Sequence, residues 1–329
     1  MLASSRQSAY TNDAMGAQQL VAEFQAEAAG KEPAVGLVDR FKFSLARGFL
    51  AAWTKCFSLK GLYWFGQFFG TCEWLIDRKS RRRFRQRLRT IFGDELTPAM
   101  ARRHTLRYFR RVRCDKMVYL IFDKLPREKI VRRIRFHGRE HLDAALARGK
   151  GVFVTMAHFG SHHVSGLLMA LAGYRVAGVR DRNEGALRRY IQQRYAESFP
   201  EFEAVKVLFA DAFPRDLYRC LMANHVVGAA LDVDRQRGAN LRTATVNMYG
   251  QPRQFLTGTM QIALRCGATV LQGFLLSRRN YYFHLVISGP LVDPDTERDE
   301  PAVLAEVMQR YADGIEEQVR RHPCHLSKL

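Results

Sequence analysis

The chain has 329 residues, 47% of them hydrophobic, with 52 Lys and Arg against 32 Asp and Glu, a formal charge of +20. That length and apolar content bury a full core without disulfides or metals, which excludes a disordered or cysteine-stapled protein. The charge calls for an anionic partner, and it is concentrated: residues 78–139 hold 22 Lys and Arg and 5 Asp and Glu, a net +17, leaving +3 elsewhere.

In chain order, residues 1–35 are polar and rich in Ala, Gln and Gly, and are expected to form a weakly ordered arm. They lack the basic-then-apolar plan of a signal peptide. The six cysteines (Cys56, Cys72, Cys114, Cys220, Cys266 and Cys324) are scattered, with no C-x-x-C pair, which suits a reducing compartment. The expected location is therefore the cytoplasm or a surface facing it.

Residues 36–130 read as a helical, interfacial and basic region, with apolar positions recurring at three and four. Residues 49–76 contain Trp53, Trp64 and Trp74, all the tryptophans of the chain, together with Phe57, Phe65, Phe68 and Phe69. Lys55, Lys60 and Glu73 interrupt the stretch, so no uncharged run is long enough to cross a bilayer. Aromatic rings beside the polybasic run 78–89 suit the headgroup boundary of an anionic membrane, where each basic residue gains about 1 kcal/mol. Thr97 and Pro98 mark a helix start, as cap and first turn.

Residues 131–329 alternate strand and helix, the pattern of an α/β core: a mixed, mostly parallel sheet flanked by helices. The predicted strands are 151–156, 175–179, 205–209, 226–231, 268–276 and 282–287. The predicted helices are 140–148, 185–198, 216–223, 257–266 and 302–321. Residues 151–174 form the longest run without Lys, Arg, Asp or Glu. His158, Gly160, Ser161, His162 and His163 sit at its centre, so it reads as strand, loop and helix rather than a membrane span.

The loop after the first core strand, Ala157-His158-Phe159-Gly160-Ser161-His162-His163, lies where open α/β sheets place their sites. His158 there has the chemistry of a general base near neutral pH. Gly160 and Ser161, opening the next helix, are placed to offer backbone N–H groups to an anion or oxyanion.

The stretch GREHLDAALARGKGVFVTMAHFG, residues 138–160, resembles the lipid A late acyltransferases, the lauroyl/myristoyl branch of the lysophospholipid acyltransferase superfamily. The resemblance continues through Val179-Arg180-Asp181-Arg182-Asn183, through Leu231-Asp232-Val233-Asp234, and through Asn247-Met248-Tyr249-Gly250 with Thr257-Gly258-Thr259 and residues 263–268. It spans roughly residues 40–322. It implies acyl transfer from a thioester of acyl carrier protein or coenzyme A to a hydroxyl or amine of a lipid or glycolipid acceptor. The implied location is the cytoplasmic face of the inner membrane, peripheral or monotopic, with no cofactor. His158 is then the base, Gly160 and Ser161 the oxyanion site, and Arg180, Thr257 and Gly258 substrate-binding residues.

The family carries His, four residues, then Asp or Glu; here the last position is His163. A neutral imidazole orients a histidine but does not stabilise its cation. Three arrangements are open: Asp232 or Asp234 supplies the carboxylate, His163 relays, or the protein is a degenerate lipid-binding member. Two readings from other classes stand beside these. The histidines with Asp232 or Asp234 would make a zinc hydrolase, although His162 and His163 point apart on a helix. Residues 78–89 would bind nucleic acid, but no groove-reading or aromatic-interleaved motif accompanies them. The expectation is no metal and no nucleic acid.

Overall fold

The computed structural model describes residues 35–180, 185–209, 214–232, 242–293, 295 and 301–327. The helical region consists of α1 (Leu37–Ile76), α2 (Arg78–Phe92), α3 (Pro98–Ile121) and the short α4 (Arg127–Val131). Local chemistry sets their limits. Asp77 accepts from the Ser80 N–H at 2.9 Å and caps α2, while Thr97 accepts from the Met100 N–H at 3.2 Å and caps α3. Helix α1 is kinked at Ser58, where φ is 64°. Its second arm lies hard against α3 because Gly66 and Gly70, one turn apart, leave room. A Cβ on Gly66 would meet Cys114 Sγ at 2.7 Å, and one on Gly70 would meet Arg110 Cα at 2.5 Å. On its other side α1 exposes Phe41, Leu45, Phe49, Phe57, Trp64 and Phe68. Among the described residues no helix is long and apolar enough to cross a membrane.

The α/β core runs β1 (Ile134–His137), α5 (Arg139–Ala147), β2 (Val152–Met156), α6 (Ser165–Leu171), β3 (Val176–Arg180), α7 (Ala186–Ser198), α8 (Pro200–Glu203), β4 (Lys206–Phe209), α9 (Pro214–Met222) and β5 (Val226–Ala230). It continues through β6 (Thr243–Met248), β7 (Gln251–Leu256), α10 (Gly258–Arg265), β8 (Thr269–Ser277), β9 (Phe283–Ile287) and α11 (Pro301–Arg321). Seven strands form one sheet in the order β1-β9-β8-β2-β5-β3-β4, parallel throughout except between β8 and β9. This is the predicted mixed, mostly parallel sheet, and the uncharged run 151–174 is strand, single turn and helix as expected.

Helices cover both faces. On one, Phe84, Leu88 and Ile91 of the basic helix α2 pack with α9, α10 and α11. On the other, α1, α3, α5, α6 and α7 bury a second cluster. The stripe at 84, 88 and 91 explains how a helix with eight basic residues in fifteen stays folded. One face is core, and the charges occupy the rest.

Three strands and the short helix α8 were not predicted. Strand β1 is a short edge strand with only alternate residues partly buried. Strands β6 and β7 form an antiparallel hairpin through Tyr249 and Gly250, both at positive φ (54° and 71°), the backbone of a two-residue hairpin turn. The hairpin is docked by α11: Gln309 accepts from the Asn247 N–H and donates to the Asn247 carbonyl, both at 2.9 Å. Those are long-range partners, and the pairing register shows no local signal in TATVNMYGQPRQFL.

Candidate active site

Strands β2 and β5 are neighbours in parallel register, with Met156 opposite Ala230. His158 lies two residues past Met156, and Asp232 two residues past Ala230. The register therefore delivers both side chains to the same point beyond the carboxyl edge of the sheet. They meet there: His158 Nδ1 and Asp232 Oδ1 are 2.8 Å apart, and Asp232 Oδ2 accepts from the His158 backbone N–H at 2.8 Å. Both oxygens of the carboxylate are thus engaged by one residue. The two side chains are partly enclosed, at 16% and 13% exposure, and it is Nδ1 rather than Nε2 of His158 that faces the carboxylate.

Tyr311 of α11 fixes this convergence. Its fully buried hydroxyl donates to the Met156 carbonyl at 2.6 Å and accepts from the Leu231 N–H at 3.2 Å, tying the end of β2 to the end of β5. Ser327 secures the loop from the other side, its N–H donating to the His158 carbonyl at 3.2 Å. Neither residue was singled out from the sequence. Tyr311 reads there as one more core position of an amphipathic helix, and nothing local marks its hydroxyl.

The structure corrects the role expected for Gly160 and Ser161. Gly160 N–H donates to the His325 carbonyl at 2.7 Å, and Ser161 N–H to the Leu275 carbonyl at 2.8 Å. Both donors are spent within the protein, and Ser161 is fully buried, so neither holds an oxyanion. Gly160 serves instead to let the loop press on β8. Its φ is +63°, and a Cβ there would sit 2.0 Å from the Leu275 carbonyl oxygen.

His163 does not hydrogen-bond His158 among the described residues. Its ring packs perpendicular to Tyr119 at 4.4 Å between centroids, while His162 is the ring that lies against His158, at 5.2 Å. Burial, then the positive charges of Arg188 and Arg111, push the His163 pKa down to about 3. Burial therefore favours its neutral imidazole. Burial together with Lys206 and Arg175 likewise lowers His225 to about 4.

These two histidines set a pH dependence. In the unfolded chain they protonate near 6.5, but the folded state resists, so folding loses stability as pH falls below 6.5. Each contributes a slope of about 1.4 kcal/mol per pH unit down to its folded pKa. Urea unfolding between pH 6.5 and 4.5 should show His163→Phe falling less steeply than the wild type. Equal slopes would mean that His163 is solvated.

Arg180 ends β3 on the same carboxyl edge and donates to Gln192 Oε1 at 2.5 Å. Thr257 and Gly258 open α10. They are drawn to the site by the Leu256 N–H, which donates to the Leu231 carbonyl at 3.1 Å, the residue before Asp232. The Thr257 side chain is buried there. Asp234 lies outside the described residues. Among those residues no three His, Cys, Asp or Glu side chains converge to hold a metal ion.

A histidine backed by a carboxylate at a sheet edge is common to several chemistries, and comparison with known proteins decides among families. The profile of the bacterial lipid A biosynthesis acyltransferases matches residues 29–326, nearly the whole chain and both walls of the site. The chain belongs to that family. Among its relatives is the phosphatidylinositol mannoside acyltransferase of Mycobacterium tuberculosis, found alike in strains CDC 1551 and H37Rv. The identity is 27% over 191 residues, covering 57% of this chain and 56% of the relative. The chain thus spans a little over half the length of the curated relatives it matches. Within this acyltransferase family the fold, the lipid-biosynthesis context and the lack of a membrane-crossing helix among the described residues agree with one another.

Proposed function

We propose that this protein transfers a fatty acyl group from a thioester of acyl carrier protein or coenzyme A to a hydroxyl or amine of a lipid or glycolipid acceptor, at the cytoplasmic face of the inner membrane. The observation that carries this reading is the 2.8 Å contact between His158 Nδ1 and Asp232. With Nδ1–H donated to the carboxylate, Nε2 is free to take the acceptor proton as the acceptor oxygen or nitrogen attacks the thioester carbonyl. The tetrahedral oxyanion then collapses and expels the thiolate, which takes the proton back from His158. Asp232 stabilises the imidazolium in between. His163 transfers no proton in this scheme and fills space against Tyr119. Arg180, with the turn at Thr257 and Gly258, is proposed to line the substrate path, Arg180 by paired hydrogen bonds to an anionic group.

The relative's name supports a glycolipid acceptor, and the exposed aromatic residues of α1 with the arginines of α2 support a peripheral membrane site. His158→Ala should lower acyl transfer by about 10³-fold or more, measured with a panel of acyl thioesters and lipid acceptors. The same variant should still float with anionic vesicles. A wild-type protein that binds such vesicles but neither transfers nor hydrolyses any acyl thioester would instead be a degenerate, lipid-binding member.

A further inference from the structure

Outside the catalytic pair, the described residues form a strongly charged concavity with no assigned use. It is a groove of about 440 Å³ between α2 and the β6–β7 hairpin. The core stripe Phe84, Leu88 and Ile91 fixes the rotation of α2, and this turns Arg83, Gln86, Arg87 and Thr90 onto one flank, facing Arg253 and Gln254 of β7. Three guanidiniums and the amides of three glutamines, Gln86, Gln251 and Gln254, therefore line a single cleft. Among the described residues no carboxylate pairs with Arg83, Arg87 or Arg253. Elsewhere on this surface arginines do find acids, as in Arg127 with Glu201 and Arg310 with Glu306. Like charges gathered without a counter-ion repel one another, and the arrangement is favourable once an anion occupies the cleft.

Both walls lead to the catalytic pair. Arg87 Nη1 donates to the Ser327 carbonyl at 3.0 Å, and the Ser327 N–H donates to the His158 carbonyl. On the opposite wall β7 ends at Leu256, whose N–H is bonded to Leu231, next to Asp232. A ligand held in the groove is thus tied through one residue on each side to the two members of the pair.

We infer that the groove between α2 and β7 binds a phosphate group of a substrate, through Arg83, Arg87 and Arg253. Guanidinium forks match the geometry of phosphate oxygens, and the amides of Gln86 and Gln251 supply further donors. Two sources share this chemistry: the phosphates of a phosphopantetheine-type acyl donor and the phosphorylated headgroup of a lipid acceptor. The inference rests on the acyl-transfer reading only for the identity of these sources. Binding is measured without turnover, so failure of one is distinguishable from failure of the other.

The test is equilibrium binding to the full chain of two soluble probes, each with a phosphate-free control. Coenzyme A is paired with pantetheine, and dihexanoyl phosphatidic acid below its micelle concentration with dihexanoyl glycerol. At least one phosphate-bearing probe should bind the wild type more tightly than its control. Arg253→Gln and Arg83→Gln should each weaken that binding by tenfold or more and leave the control unchanged. The probe that responds identifies the source. Arg89→Gln, on the same helix but outside the groove, should change it by less than twofold. Circular dichroism melts of each variant should overlay the wild type. The inference is overturned if neither phosphate probe binds better than its control, if the groove variants stay within twofold of wild type, or if Arg89→Gln weakens binding as much as they do. The last result would mean a diffuse field rather than a site.

Discussion

Asp232→Asn should lower kcat for acyl transfer by about 10³–10⁴-fold with little change in stability. The reason lies in how the carboxylate is shared. One oxygen accepts the backbone N–H of His158 and the other faces Nδ1. An asparagine keeps its carbonyl on the backbone N–H, because only that atom accepts, and so presents its NH₂ to the ring. Nδ1 must then act as acceptor, which puts the ring proton on Nε2 and leaves His158 in the wrong tautomer for a base. The loss of negative charge also removes the stabilisation of the imidazolium. By contrast His163→Gln should cost less than about tenfold, since His163 is neutral and packed on Tyr119. The comparison is decisive in either direction. If His163→Gln proves the more damaging, the relay assigned to the family's motif position is the true partner, and the Asp232 contact is structural.

The second large effect is on stability. Asp115 of α3 is buried, and its carboxylate accepts from Arg111 Nη1 at 2.5 Å and from the Ser277 hydroxyl at 3.0 Å. Arg111 also donates through Nε to the Cys324 carbonyl at 2.8 Å. The chain of contacts continues from the Ser277 carbonyl to His325 Nε2, and from the His325 carbonyl to Gly160. It runs from the helical region to the loop that carries His158. Burial pushes the Asp115 carboxyl up, Arg111 opposes this, and the pair is stable only as a pair. Asp115→Ala should therefore destabilise by about 3–5 kcal/mol, because it strands the Arg111 charge in the core. The double variant Arg111→Met with Asp115→Leu should recover most of the loss, since it buries no charge at all. Urea midpoints report both. A single-variant cost below about 1 kcal/mol, the range of an exposed pair, would show that solvent reaches the network.

The candidate site divides along the same line between local and distant information. His158 was legible because a histidine after a buried strand, followed by glycine and serine, announces a sheet-edge loop within seven residues. Asp232 appeared as one of two acidic candidates, and composition had no means of choosing between them. The contact of Asp232 with His158 follows from the parallel pairing of Met156 with Ala230, residues 74 positions apart, while Asp234 lies outside the described residues. The oxyanion role expected of Gly160 failed for a related reason. A glycine at the start of a helix does offer a free N–H, but here the carbonyl of His325, from the far end of the chain, had already taken it.

What the sequence by itself determined is whatever depends on periodicity and composition. It marked the helical region with its +17 block, the alternation of strands and helices, the capped start at Thr97 and Pro98, and the absence of an uncharged span between 49 and 76. These follow from interactions over a few residues, which a linear reading contains. The tertiary structure alone decided the sheet order, the β6–β7 hairpin, the partner of His158 and the role of Tyr311. It also decided which arginines of α2 face a groove instead of open solvent. Each of these rests on contacts between distant residues, where register and helix rotation are fixed by burying one apolar face against another. The charge of +20 was visible from the start; where it forms a concavity became visible only once Phe84, Leu88 and Ile91 had found the core.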